Sequence, residues 1–375
     1  MNALGLYVHV PFCRGKCGYC AFNSRPLRDD AELAAYARAL ETEFAMYTAR
    51  LADAQVTTIY FGGGTPSLLA PEQIASLLTR MRPVADAEIT LEANPETVTE
   101  RTLAGFRAAG VNRLSLGVQS FDAAALAFLE RRHQPNQAVD AFTAARRTGF
   151  ANISLDLIAG LPAPHDRAYL ADLDAALSLA PEHLSVYLLT AEPPSRLHEA
   201  ACAGRVTLPA ADQQADVFLR VHERLTASSF EHYEVSNFAR PEKRARHNSA
   251  YWRGAAYLGF GAGAHSFVAH ERRANVGDPD EYVRRLARGD SPVAFRETIT
   301  PEMSRREKLM LELRTAEGVD PREFGDAAPA LAAALSRHAA EGRYTRDGSR
   351  FCPTVTGFLV ADGIALELWE TLESK

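Results

Sequence analysis

The sequence predicts an α/β protein built on a parallel sheet, either a barrel or a doubly wound sheet, followed by a small, mostly helical C-terminal domain with a winged-helix-like pattern. Three observations carry this. Through the first 240 residues, short β-rich runs alternate about six times with helical patterns, which is the signature of repeated βα units. The runs are nearly continuous in apolar residues, as strands covered on both faces require. A polar or glycine-rich signal follows nearly every run, and in parallel β/α folds chemistry gathers at the carboxyl ends of the strands.

The elements follow in order. Strands are expected at Leu6–Val10, Thr58–Phe61, Ile89–Glu92, Arg113–Val118, Ile153–Ile158 and Leu184–Leu189. The signals after them are "PFCRGKC", "GGGTP", "EANPET", "GVQSF", "DLIAGLP" and "LLTAEP". Between the strands, "AELAAYARALETEFAMY", "PEQIASLLTRMR", "VTERTLAGFRAAG" and "DRAYLADLDAALSLA" carry apolar residues at three-to-four spacing. Pro71 suits a first helical turn, and Gly110 and Gly149 suit helix ends. Six signals at six strand ends point to one shared site. After about residue 240 the pattern changes to the basic, aromatic "RPEKRARHNSAYWRG" and the glycine-rich "YLGFGAGAHSF". From about 300 onward "TPEMSRREKLMLELRTAEGVD" reads as a helix, and the remainder as further helices with a short turn.

The bulk numbers narrow the class. A formal net charge of −6 over 375 residues gives no field that would draw in nucleic acid. An anionic ligand must be met by local cations. The start lacks the pattern of a signal peptide, and no apolar run approaches the ~20 residues needed to cross a bilayer. Five unevenly spaced cysteines do not form a disulfide framework. A soluble, cytoplasmic protein is expected.

Three of the five cysteines, Cys13, Cys17 and Cys20, crowd into "CRGKCGYC" directly after the first strand. Thiolates bind zinc or iron–sulfur clusters. A structural zinc site would need a fourth ligand, His9 or a remote residue, and three buried structural cysteines would need no ligand at all. Three thiolates on a cubane cluster leave one iron open for a chelating cofactor. This third reading suits a specific spacing at a strand end, and Cys202 and Cys352 are expected to be structural.

At this point the residues carry a resemblance. "CRGKCGYC" resembles the signature of the radical S-adenosylmethionine family. "YVHVPFC", "FGGGTP", "EANPE", "LSLGVQSF", "DLIAGLP", "HNSAYW" and "ELRTAEGVD" are similar to the branch holding oxygen-independent coproporphyrinogen oxidase and the HemW-type haem chaperones. The resemblance covers nearly the whole chain. It implies a partial (β/α)6 barrel over 1–240, a connecting segment over 241–299 and a C-terminal domain over 300–375. It also implies a 4Fe–4S cluster on Cys13, Cys17 and Cys20 with S-adenosylmethionine on the open iron. Electron transfer from the cluster would cleave that cofactor to methionine and a deoxyadenosyl radical.

Carried over residue by residue, the resemblance implies cofactor contacts at Tyr7, Tyr19, Gly63, Gly64, Thr65, Glu92, Gln119, Arg131 and Asp156. The glycines, Gly62 included, let backbone approach the methionine end. Arg131, or Arg132 in its place, offers a fork of donors to the carboxylate, while Glu92, Gln119 and Asp156 suit the ammonium and ribose hydroxyls. Within the branch, three features favour the chaperone over the oxidase: Phe22 stands where the oxidase has a further cysteine, only twelve residues precede Cys13, and "HNSAYW" is present. The implied function is a chaperone that binds haem and passes it to an acceptor protein. The alternative is a radical oxidoreductase acting on coproporphyrinogen III. In the haem reading His247, or less readily His265, would ligate iron, Tyr251 and Trp252 would stack on the macrocycle, and Lys243, Arg244, Arg246 and Arg253 would meet the propionates. The resemblance further implies a reductant such as flavodoxin or ferredoxin, and leaves open peripheral membrane contact and a homodimer.

Overall fold

The computed structural model describes residues 3–373. By internal contacts the chain divides into two compact units, each discontinuous in sequence. The first takes the chain through Ala210 together with Ala256–Thr298, and the second takes Ala211–Ala255 with Ile299 onward. This differs from cuts at 240 and 300, and the reason lies in strand pairing.

The first unit holds six parallel strands: β1 (Ala3–Val10), β2 (Gln55–Gly63), β3 (Pro83–Ala93), β4 (Arg113–Gln119), β5 (Ile153–Ala159) and β6 (His183–Leu188). They pair in sequence order, β1 to β2 and on to β6, all parallel. Crossing helices include α1 (Asp30–Met46), α2 (Pro71–Met81), α3 (Glu100–Ala109), α4 (Pro135–Arg147) and α5 (Ala168–Ser178). The Asp29 carboxylate caps α1 by accepting from the Glu32 N–H, and Gly110 ends α3 in the left-handed conformation. All six expected strands are present, most of them longer at one or both ends. Leu6, Val8 and Val10, Ile59 and Phe61, and Leu114, Leu116 and Val118 are buried, as strands covered on both faces should be.

β1 and β6 do not pair, so this is a partial barrel. On the free side of β1 the chain returns as β7 (Tyr257–Phe260), parallel to β1, followed by the antiparallel β8 (His265–Val268), β9 (Glu271–Asn275) and β10 (Val293–Thr298). This pairing places 256–298 with the parallel strands. A buried polar cluster fastens the return. Glu43 on α1 accepts from the Gly261 N–H (2.8 Å), the Asn275 amide (2.7 Å) and the Tyr282 hydroxyl (2.6 Å). Tyr36 on α1 donates to the His9 carbonyl (2.9 Å) and accepts from the Ala262 N–H (2.7 Å). Burial pushes the Glu43 carboxyl up to about 7.

In the second unit, helices Pro301–Glu312, Ala328–Ala340 and Ala361–Glu373 surround a core of Leu309, Leu313, Val319, Leu331, Leu335, Phe351, Ile364 and Leu368. A hairpin of Tyr344–Asp347 and Arg350–Pro353 accompanies them, in keeping with the helical, winged-helix-like expectation. The same unit holds helix Ala211–Thr226, a hairpin of Glu231–Glu234 and Asn237–Ala239, and helix Arg246–Trp252. Among the described residues, no helix is long and apolar enough to cross a membrane.

Candidate functional site

The cysteine loop is built by local pairing. Phe12–Cys13 runs parallel to Arg25–Pro26 and closes the loop at its base. Lys16 Nζ donates to the carbonyls of Phe22 and Ser24, both at 3.0 Å. From outside the loop, Arg132 Nη1 donates to the Arg14 carbonyl (2.6 Å), Arg196 to the Lys16 carbonyl (2.9 Å), and the Leu197 N–H to the Gly18 carbonyl (2.9 Å). Imidazole Nε2 of His9 contacts the Asn23 carbonyl at 2.8 Å. A loop held at so many backbone points presents its three thiols in a fixed arrangement.

Those thiols face a cavity of about 370 Å³ at the carboxyl ends of the parallel strands. Its wall gathers, from the expected set, Cys13, Cys17, Tyr19, Cys20, Gly63, Gly64, Thr65, Glu92, Gln119, Arg131 and Asp156. Tyr7 is not on that wall. Its hydroxyl contacts His9 Nδ1 at 2.9 Å, and its ring lies beneath the triple-glycine turn, 2.9 Å from where a Cβ on Gly62 would stand. The strand alternation aims it behind the turn.

The glycine turn earns its composition twice. Gly63 has φ of +114°, a conformation other residues avoid, and a Cβ on Gly64 would come within 2.6 Å of the Phe12 carbonyl oxygen. The turn thus passes flush against the start of the cysteine loop. At the next strand end, Glu92 accepts from the Tyr60 hydroxyl (2.7 Å) and the Gly63 N–H (3.1 Å). Burial pushes this carboxyl up to about 7, and neighbouring Asp156 adds to the shift. Burial also raises Asp156, whose oxygens accept from Ser115 at 3.0 Å and Ser154 at 3.3 Å. Beneath both carboxyls Arg113, one of the largest fully buried side chains, supplies partial compensation. Two carboxyls raised by burial in one cavity stand ready to ionise for a cationic ligand.

Arg131 sits opposite. Its Nη2 donates to Asn94 Oδ1 (2.6 Å) and the Gly117 carbonyl (2.7 Å), its Nη1 lies 3.5 Å from Cys17 Sγ, and its buried Nε has no hydrogen-bond partner. Asn94 in turn donates to Thr65 Oγ1 at 2.9 Å, and Thr65 hydrogen-bonds Cys13. Burial pushes the Cys13 thiol up, and the Thr65 bond opposes it. Gln119 lines the wall in the left-handed region, φ +67°, a conformation costly for a residue with a Cβ and frequent at ligand sites. Sequence reasoning did not single out Asn94, Ser115 or Arg113. Asn94 stood inside the quoted "EANPET", while Ser115 and Arg113 lie within a strand and gave no signal.

The donor set fits a cluster and a zwitterionic cofactor: three thiols on one wall, a glycine cradle with no room for a Cβ, a raised carboxyl pair and an arginine with an unspent donor. Among the described residues no three His, Cys, Asp or Glu side chains converge at single-ion spacing; the three thiols line the wall without closing on one point.

The expected haem residues lie elsewhere. His247 and Tyr251 share helix Arg246–Trp252 in the second unit, and Trp252 ends it. His247 is 1% exposed, with Nε2 2.8 Å from the Tyr251 hydroxyl and the two rings edge to face. Of the basic set, Arg244 is engaged by Glu231 and Glu317. His265 is exposed on β8, and Cys202 is exposed with its sulfur 3.5 Å from His198 Nε2, so it is not a core residue.

Known proteins resemble this chain in sequence and in fold. Residues 7–175 match the model of the radical SAM superfamily. The chain is 37% identical to the heme chaperone HemW of Mycobacterium tuberculosis, covering 97% of this chain and 94% of the relative. It is 38% identical to the Escherichia coli heme chaperone HemW, covering 78% and 75%. It is also similar, at 35% identity over 87% of this chain and 76% of the relative, to the mitochondrial radical S-adenosyl methionine domain-containing protein 1 of Bos taurus. Among solved structures, the radical SAM enzyme coproporphyrinogen III oxidase (HemN) from Escherichia coli superposes with a TM-score of 0.83 at 24% identity, covering 100% of this chain and 90% of that one. That likeness speaks for the fold.

Proposed function

Because the chain belongs to the radical SAM superfamily, in the branch that holds HemW and HemN, we propose that it is a haem chaperone. In this reading it binds haem, passes it to an acceptor protein, and carries a 4Fe–4S cluster with S-adenosylmethionine. The observation that supports this most is the convergence of three thiols, a burial-raised carboxyl pair and Arg131 on one cavity, in a chain similar to HemW over nearly its whole length.

Cys13, Cys17 and Cys20 would hold the cluster, which supplies single-electron reduction of the sulfonium when bound. The other roles belong to the chain. Arg131 binds the cofactor carboxylate, reorienting from Asn94 so that its fork faces the ligand. Glu92 accepts from the amino group, and the Gly63–Gly64 backbone shapes the cradle for the methionine end. Asp156, oriented by Ser115 and Ser154, accepts from the ribose hydroxyls. Tyr19 packs with Leu129, Ile158, Leu189 and Leu197 and keeps water from the thiols. A lowered dielectric there strengthens each of these contacts.

The test is paired. Anaerobically reconstituted protein is titrated with haem, followed by its Soret band and by transfer to a haem-free acceptor. In parallel it receives coproporphyrinogen III, S-adenosylmethionine and a flavodoxin-type reductant. Stoichiometric haem binding with transfer supports the chaperone. Decarboxylated product at catalytic turnover, or no haem binding, overturns it.

A further inference from the structure

We infer that the rim of the thiol-lined cavity is where the macrocycle docks, its face against Phe22 and Tyr187 and its carboxylates on Arg14 and Arg132. This deepens the haem-binding reading and rests on it.

Phe22 and Tyr187 line the cavity yet are 68% and 44% exposed, among the most exposed large apolar side chains of the chain. Exposed aromatics on a loose loop would carry little. Here the Phe22 carbonyl accepts from Lys16 Nζ at 3.0 Å and from the Ser24 N–H at 2.7 Å, and Tyr187 stands on β6. Both rings are therefore presented on pinned backbone, and a flat apolar ligand would meet them with little ordering cost. Two exposed aromatic side chains on the lining of one cavity suit a ligand with an apolar face.

A second, independent observation concerns charge. Arg14 and Arg132 line this cavity and also a neighbouring one of about 320 Å³. The Arg14 guanidinium has neither hydrogen bond nor ion pair among the described residues, while Arg132 spends one N–H on the Arg14 carbonyl and keeps the rest of its fork. Arg28, in the second cavity, is already committed to Glu32 and Asp280. Two adjacent, largely unspent guanidinium groups suit two carboxylates. Glu192 on the first wall and Asp29 and Asp30 in the second oppose part of this charge. The arginines alone would thus hold a small anion weakly, and a ligand must offer both an apolar face and carboxylates. Haem does. By contrast the buried, Tyr251-engaged His247 offers no open approach to an iron.

The experiment is an anaerobic haem titration of the reconstituted chain, read by the Soret band, with haem and haem dimethyl ester as probes. We expect the ester to bind about tenfold or more weakly to wild type, because charge-assisted bonds to both arginines are lost. Arg14→Gln, which breaks no protein contact, should weaken haem about tenfold and narrow the haem-to-ester ratio. Phe22→Ser should weaken both probes alike. Iron content reports that each variant is intact. Haem binding lost in His247→Ala, with Arg14→Gln and Phe22→Ser equal to wild type, overturns the rim and leaves the chaperone standing. Failure of wild type to bind haem overturns both.

Discussion

The cysteine loop and the Arg246–Trp252 helix both looked like binding motifs in the sequence, and the structure makes them opposites. The loop is fixed through its backbone and sets three thiols on a cavity wall, which it shares with Arg131, whose Nε has no partner, and with the raised Glu92 and Asp156. The helix turns inward, with His247 buried against Tyr251, and just before it Arg244 is held by two glutamates. A motif marks residues that matter. Unspent donors and acceptors around a space mark where a ligand goes.

The contrast can be broken most sharply at the thiols. Cys17→Ser should remove the brown absorbance and the about four irons per chain expected of a cubane, read by iron and sulfide analysis after anaerobic reconstitution. Retention of full iron would break the loop's side of the comparison. The next largest effect belongs to Arg131→Ala. Loss of a charge-assisted bond of about 1.5–3 kcal/mol should weaken S-adenosylmethionine about 10- to 100-fold in equilibrium dialysis, with iron content unchanged.

A pH series sharpens the comparison further. Burial holds the Glu92 carboxyl near 7 in the free protein, so it is neutral below that pH and ionised above it. A cationic or hydrogen-donating amino group binds the ionised form. Affinity should therefore fall about tenfold from pH 8 to pH 6 as the proton must be displaced. Glu92→Gln should bind more weakly at pH 8 and lose most of this slope; an unchanged slope would assign the titration elsewhere. The smallest effect is expected at the closed helix. His247→Gln should lower unfolding stability by about 1 kcal/mol through the disturbed Tyr251 contact, measured by denaturant titration, and leave S-adenosylmethionine binding untouched.

Much of the site was legible because its signals are local. The C-x3-C-x2-C spacing, the triple glycine and the strand-end placement of Glu92, Gln119 and Asp156 follow from the period of strand and helix. Tyr7, offered by the resemblance and not by period, has its ring behind the triple-glycine turn, because strand alternation decides which face a side chain takes. Nothing in the sequence marked Arg14, and Arg132 was offered only in place of Arg131, because which donors stay unpaired depends on partners far away in the chain. The sheet extension was illegible for another reason: "ERRAN" and the edge strand "VAFRET" are polar, without the apolar run that marked the other six.

Hydrophobic period and turn chemistry, both properties of neighbours in the chain, were enough to determine a parallel β/α unit, a helical tail and three thiols after the first strand. Whether a side chain is spent or free depends on partners far away in sequence, as when Asn94 takes Arg131 or Glu43 takes Gly261 and Tyr282. Only the folded chain decided which arginines remain open, which histidine is sealed, and that residues 256–298 return to brace the first strand.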